Sequence, residues 1–136
     1  MILIDTSAIY ALADRGDPNH ESAVEWFRAA VEAQEELLIH NAILIEATAL
    51  LQRRLGLAAA VRFLDSSDQF IIHWVGARDH SEAVELLKER GRRGLSLVDC
   101  TSFAVMRRLQ VTQAIAFDSD FEQEGFELYP RTEKRP

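Results

Sequence analysis

Apolar residues recur along the chain in two rhythms. Short runs, apolar or nearly so, fall at Met1 to Ile4, Leu37 to His40, Phe70 to Val75, Ala114 to Phe117 and Phe126 to Tyr129. Runs of this length, bounded by turn residues, predict buried strands. Between them the spacing is helical. Asp5-Thr6-Ser7 is a capping cluster that opens a short helix to about Leu12, ended by Asp14-Arg15-Gly16-Asp17-Pro18. From Asn19 to about Gln34, Ala23, Val24, Phe27, Ala30 and Val31 mark one apolar face. Asn41 caps a helix to about Leu55, Gly56 stops it, and Leu57 to Leu64 starts another. A charged helix is predicted from Asp79 to Arg93, ending at Gly94. Ser96-Leu97-Val98-Asp99 resembles a capping box and opens a helix to about Leu109. Strands separated by helices predict an α/β sandwich: a mostly parallel central sheet flanked by helices. Ligands in such sheets bind beyond the carboxyl ends of the strands, where strand order reverses.

Composition narrows the setting. The chain has 136 residues, which is one domain's worth, and residues 1–130 are expected to form it, with 131–136 a loose tail. Apolar residues make up 48% and charged residues 27%, an ordinary globular balance that argues against disorder. Cys100 is the single cysteine, so neither an internal disulfide nor a zinc cluster is available. No apolar run approaches a bilayer span, and the start does not resemble a signal peptide. A cytoplasmic protein without a membrane partner is the expectation. The formal net charge of −7 counts against non-specific coating of nucleic acid.

The chemistry lies in carboxylates. Asp5 and Asp118 stand at the carboxyl ends of predicted strands, where each could also serve as a cap or turn residue. Glu46 lies three residues after Ile43 and four before Leu50, which puts it on the apolar side of its helix. A carboxylate there must sit at the rim, pair with Arg53 or Arg54, or meet a cation. Asp99 occupies the first turn of its helix, where the dipole favours negative charge. Four carboxylates gathered at one sheet edge would repel, and they persist only with shared protons or a bound cation. Ligation by carboxylate oxygen suits Mg²⁺ or Mn²⁺ rather than zinc.

The order and context of these residues resemble the PIN domain, and within it the VapC-like ribonuclease toxins of toxin–antitoxin pairs. The segments that carry the resemblance are Ile2-Leu3-Ile4-Asp5-Thr6-Ser7-Ala8-Ile9, Ile45-Glu46-Ala47, Leu95 to Met106 around Asp99, and Ala116-Phe117-Asp118-Ser119-Asp120-Phe121 with Gly125-Phe126. It spans Ile2 to about Pro130. It implies a PIN-like three-layer sandwich and RNA hydrolysis assisted by Mg²⁺ or Mn²⁺, leaving a 5′-phosphate and a 3′-hydroxyl. It also implies Asp5, Glu46, Asp99 and Asp118 as catalytic, metal-holding residues, with Thr6 and Ser7 supporting them or touching substrate phosphate. Many relatives carry Thr or Ser where this chain has Ala116, so Asp120 stands as a rival to Asp118.

The resemblance further implies a cognate antitoxin and a homodimer, for which Ile9, Tyr10, Leu12 and Trp26 are the candidate surface. Arg53-Arg54, Lys88, Arg90, Arg92-Arg93 and Arg107-Arg108 are the basic clusters available to RNA. His20, His40, His73 and His80 show no metal-ligand spacing, and Cys100 reads as a core residue. Three competing readings remain: a housekeeping RNA-processing nuclease, a catalytically silent PIN-like module, and a haloacid-dehalogenase-like phosphatase. The last needs a second Asp two residues after the first, where this chain has Ser7.

Overall fold

A computed structural model describes residues 1–130; the expected tail, 131–136, lies outside the described residues. The elements follow in the order β1 (Ile2–Ile4), α1 (Thr6–Ala13), α2 (His20–Glu32), β2 (Leu37–His40), α3 (Asn41–Leu55), α4 (Leu57–Ser66), β3 (Ile71–His73), α5 (Ala77–Arg90), α6 (Leu97–Leu109), β4 (Gln113–Ile115), α7 (Asp120–Gln123) and β5 (Glu127–Leu128). The sheet runs β3-β2-β1-β4-β5 and every pairing is parallel. This is the expected α/β sandwich with helices flanking a central sheet.

The central strand shows why. Ile2, Leu3 and Ile4 are all fully buried, so β1 is covered on both faces and its unbroken apolar run is what a parallel sheet demands. Each such side chain contributes roughly 1.5–3 kcal/mol on leaving water. From β1 the chain first builds outward through β2 and β3, then returns to add β4 and β5 on the other side. Strand order therefore reverses at β1, and the crevice between the carboxyl ends of β1 and β4 is where a site should form.

Several boundaries differ from the sequence pattern. The cap of α3 is His40 rather than Asn41: its Nδ1 accepts the Ile43 N–H at 3.2 Å. The helix starts directly from the strand, and Asn41 instead uses Oδ1 to accept the Val75 N–H at 2.7 Å, tying down the end of β3. Strand β3 is shorter than predicted because it is an edge strand, paired only with β2. Helix α5 begins at Ala77 and ends at Gly91 rather than Gly94, since Gly91 takes the left-handed conformation (φ 59°) that closes a helix. Gly56 does stop α3 as expected, at φ 98°.

The expected dimer surface is mostly interior. Ile9 and Tyr10 belong to the core, and Trp26 stacks on Phe117 at 4.9 Å between ring centroids; Leu12 is exposed. The exposed apolar stripe is instead Leu57, Val61 and Leu64 on α4.

Candidate active site

Asp5 follows β1 at the switch point and is only 4% exposed. It caps α1, and Ser7 holds it twice, through the backbone N–H at 3.2 Å and through the hydroxyl, which donates to Oδ2 at 2.6 Å. The same hydroxyl accepts the Phe117 N–H at 3.2 Å, while the Asp5 N–H donates to the Ile115 carbonyl at 3.0 Å. Ser7 thus pins the end of β1 to the end of β4. A hydroxyl next to the acidic residues is present after all, contributed by Ser7 although position 116 is Ala.

Asp118 sits where β4 has peeled away, on a loop anchored at both sides. Phe117 stacks on Trp26, and Phe121 packs edge-on against Phe103 at 5.1 Å, with Phe126 closing the cluster. Aromatic pairs of this kind add about 0.5–1.5 kcal/mol beyond the area they bury. Asp118 Oδ1 accepts the Asp120 N–H at 3.0 Å in a tight turn. Asp120 lies 3.6 Å from Arg92, so the rival carboxylate is ion-paired. Asp99 occupies the first turn of α6 in the capping box that the sequence announced: its Oδ2 accepts the Ser96 N–H and its N–H donates to Ser96 Oγ, each at 3.0 Å. The cap uses one carboxylate oxygen and leaves the other.

The neighbouring carboxylates act on one another by repulsion. Burial pushes the Asp5 carboxyl up to about 7, Ser7 partly opposes this, and the charges of Asp118 and Asp99 add to the rise. Asp118 is likewise raised, by burial first and then by Asp99 and Asp120, against the pull of the Asp120 N–H. Like charges without a counterion behave in this way. Glu46 is placed differently. It sits half-buried at the rim of α3, whose buried face is Ile43, Ala47 and Leu51, and it lines a cavity of about 370 Å³ with Thr6, Ala49, Leu50 and Arg53. Asp5 is not among the residues that line this cavity. The ion pairs of the described residues include neither Glu46 nor Arg53.

Among the described residues, no three His, Cys, Asp or Glu side chains stand close enough to form a finished metal cage. The donor chemistry nevertheless fits a hard divalent cation. The candidate ligands are carboxylate oxygens, and Asp5 and Asp118 are raised in the direction that a nearby cation would reverse.

Two features escaped the sequence. His40 is fully buried and its Nε2–H bonds the Ser102 hydroxyl at 2.9 Å, while Ser102 donates to the Val98 carbonyl at 3.2 Å. Burial, helped by His73 and opposed by Asp79, holds its imidazole down at about 4, so it is neutral. This contact joins the start of α3, which carries Glu46, to α6, which carries Asp99. The second feature is Glu124, whose side chain is 3% exposed and is gripped by Arg90 (2.7 Å) and Arg107 (2.8 Å), with Arg92 at 3.9 Å. Arg108 lies 2.9 Å from Asp79 Oδ1, out of line for a hydrogen bond, and 3.3 Å from Glu82. Arginines that the sequence offered to RNA are therefore largely occupied. Arg54 stacks over the Tyr10 ring at 5.2 Å.

Comparison with known proteins agrees with this fold. The chain is 38% identical over 128 residues to the 23S rRNA-specific endonuclease VapC20 of Mycobacterium tuberculosis, in two strains, covering 93% of this chain and 95% of that one. The crystal structure of M. tuberculosis VapC20, described as a Sarcin-Ricin loop cleaving toxin, superposes with a TM-score of 0.82 at 35% identity, covering 93% and 96% of the two chains. The PIN domain family matches residues 2–127. With its acidic residues at the β1/β4 switch point and this match along nearly all its length, the chain belongs to the PIN domain family.

Proposed function

We propose that the protein is a metal-dependent ribonuclease toxin of the VapC kind that cuts a structured RNA loop in the cytoplasm. The reading is supported by the match to VapC20 over nearly the full length of the chain, together with the carboxyl of Asp5, which is raised by burial and then by the charges of Asp118 and Asp99. These three and Glu46 would hold Mg²⁺ or Mn²⁺. When bound, such an ion makes an attacking water acidic near neutral pH and offsets charge developing on the phosphate.

The protein's own part is positioning. Ser7 fixes Asp5 and the end of β4 in one hydrogen-bond chain, the aromatic cluster fixes Asp118, and the Ser96 cap fixes Asp99. Water adds to phosphorus, the bond to the 3′ oxygen breaks, and that oxygen leaves with a proton, giving a 3′-hydroxyl and a 5′-phosphate. The test uses purified protein and an RNA hairpin carrying the sarcin–ricin loop sequence of 23S rRNA. Cleavage should require Mg²⁺ or Mn²⁺, stop in EDTA, and fail with Asp99→Asn. Metal-independent cutting, or full activity of Asp99→Asn, would overturn the assignment.

The toxin reading brings an antitoxin. An apolar groove of about 290 Å³ between α1, α2 and α4, lined by Leu12, Phe27, Val31, Phe63 and Phe70, suits an amphipathic antitoxin helix. An antitoxin that also placed a basic side chain among the carboxylates would compete there with Mg²⁺. The exposed stripe of Leu57, Val61 and Leu64 is the surface we assign to a homodimer. Sedimentation at micromolar concentration checks it.

A further inference from the structure

Most arginines near the site are already engaged. Arg90, Arg92 and Arg107 surround Glu124, Arg78 and Arg108 meet Glu82, and Arg54 covers the Tyr10 ring. Arg53 is different. It lies in the last turn of α3, exposed, and among the described residues no carboxylate comes within ion-pair distance of it. It shares a cavity with Glu46, two helical turns earlier, yet the two do not pair.

The same cavity is lined by Thr6, which is 7% exposed and whose Oγ1 has no hydrogen-bond partner. Other helical threonines satisfy themselves locally: Thr48 Oγ1 donates to the Leu44 carbonyl and Thr101 Oγ1 to the Leu97 carbonyl, each at 2.7 Å. Thr6 has no such recourse. It is the first residue of α1, so the position four residues back is Ile2 in a strand, not a turn of the same helix. A buried hydroxyl without a partner calls for one from outside the chain.

We propose that Thr6 and Arg53 form a subsite for a non-scissile phosphate of the RNA, next to the scissile one. This rests on the ribonuclease reading and deepens it. The chemistry favours an anion with several oxygens: a guanidinium offers paired donors to a phosphate, and the threonine hydroxyl supplies another. The subsite also answers an electrostatic need. The chain carries a net charge of −7 and its catalytic corner is acidic, so some cation must hold the RNA backbone beside it. Arg53 is the arginine beside Glu46 and Thr6 that no internal carboxylate neutralises. Two neighbours in sequence thus have separate tasks: Arg54 packs on Tyr10, and Arg53 faces substrate.

The test is steady-state cleavage of the hairpin RNA in Mg²⁺ by the full chain and its variants. Arg53→Ala should raise KM about five- to tenfold with kcat within about twofold, because a flanking contact binds ground and transition states alike. The dependence of log(kcat/KM) on log salt should become shallower by about 0.7, the share of one phosphate contact on single-stranded nucleic acid. Arg53→Lys should recover part of the loss, whereas Arg54→Ala should leave the salt slope unchanged. Thr6→Val should raise KM about threefold and Thr6→Ser should restore it; melting curves show whether either variant folds. A hairpin with a single 2′-deoxy methylphosphonate linkage at the contacted position should erase the difference between wild type and Arg53→Ala. If the wild type cleaves but Arg53→Ala and Thr6→Val leave KM and the salt slope unchanged, the subsite is wrong and the ribonuclease reading stands. A fall in kcat at constant KM would place the pair on the reacting phosphate and overturn the flanking assignment. No metal-dependent cleavage by the wild type would remove both.

Discussion

Asp5 is a buried residue and Glu124 a half-buried one whose side chain is tucked in at 3% exposure, and the two carboxylates are opposites. Glu124 sits among arginines, and the hydrogen bond from Arg90, followed by that from Arg107, holds its carboxyl down at about 2 against the cost of burial. Asp5 has burial and two like charges pushing it up to about 7, and only Ser7 pulling the other way. One carboxylate is satisfied by the chain itself. The other has only Ser7 to offset its burial, a balance that favours a proton or a cation. Glu124 ties α5, α6 and the end of α7 together, whereas Asp5 stores an electrostatic demand at the point where strand order reverses.

The widest separation should appear in catalysis. Asp5→Asn keeps an oxygen to cap α1 but weakens the hold on a cation, and cleavage of the hairpin should fall about a thousandfold. Glu124→Gln should change the rate per folded molecule by less than about threefold. Equal losses in both variants would erase the distinction between a catalytic and a structural carboxylate.

Stability should order the two the other way. Glu124→Gln leaves several arginines around an uncharged amide, which costs about 3 kcal/mol and lowers Tm by about 10 °C in a domain of this size. A scanning melt at pH 7 in EDTA measures it, and an unchanged Tm would show that the cluster is only a surface network.

Mg²⁺ sharpens the contrast next. At a hundred times its Kd it should stabilise the wild type by about 2.7 kcal/mol, since the unfolded chain has no assembled site. Glu124→Gln should keep that increment and Asp5→Asn should lose most of it. A Tm series across Mg²⁺ concentration reads both.

The smallest effect depends on pH. A carboxyl raised in the folded state costs stability above its folded pKa, and the cost disappears as pH falls towards its unfolded value. In EDTA at pH 8, Asp5→Asn should therefore be more stable than wild type by about 2 kcal/mol, a gap that closes between pH 7 and about 4. Comparing the two proteins removes His40, which titrates the other way: held at about 4 and neutral, it costs stability as pH falls below 6.5. The Glu124 contribution has the opposite sign to that of Asp5. It is complete above about 4.5 and is lost as pH falls towards about 2, so acid melts should expose it last. A gap between wild type and Asp5→Asn that widened on acidification would contradict the repulsion argument.

Much of this could be read along the chain. The run Ile2-Leu3-Ile4 ending at Asp5, the stop at Gly56 and the box from Ser96 to Asp99 are local signals, set by residues within a turn of one another. Asp99 turned out to serve the cap through one oxygen, so the cap and metal readings are not exclusive. The position of Glu46 at the rim, unpaired with Arg53 or Arg54, was one of the alternatives its helical spacing allowed.

Sequence alone determined the alternation of strand and helix, the buried character of β1 and the places where carboxylates meet strand ends. Local hydrogen bonds and apolar burial dictate those within a few residues. Tertiary structure decided the rest, because it concerned partners far apart in the chain. His40 meets Ser102, Ser7 meets Phe117, and Arg90 and Arg107 converge on Glu124. A run of arginines reads the same whether it faces RNA or a buried glutamate. Only folding, which makes a desolvated charge choose a partner, separated the arginines that hold this protein together from Arg53, exposed in the cavity that Glu46 lines.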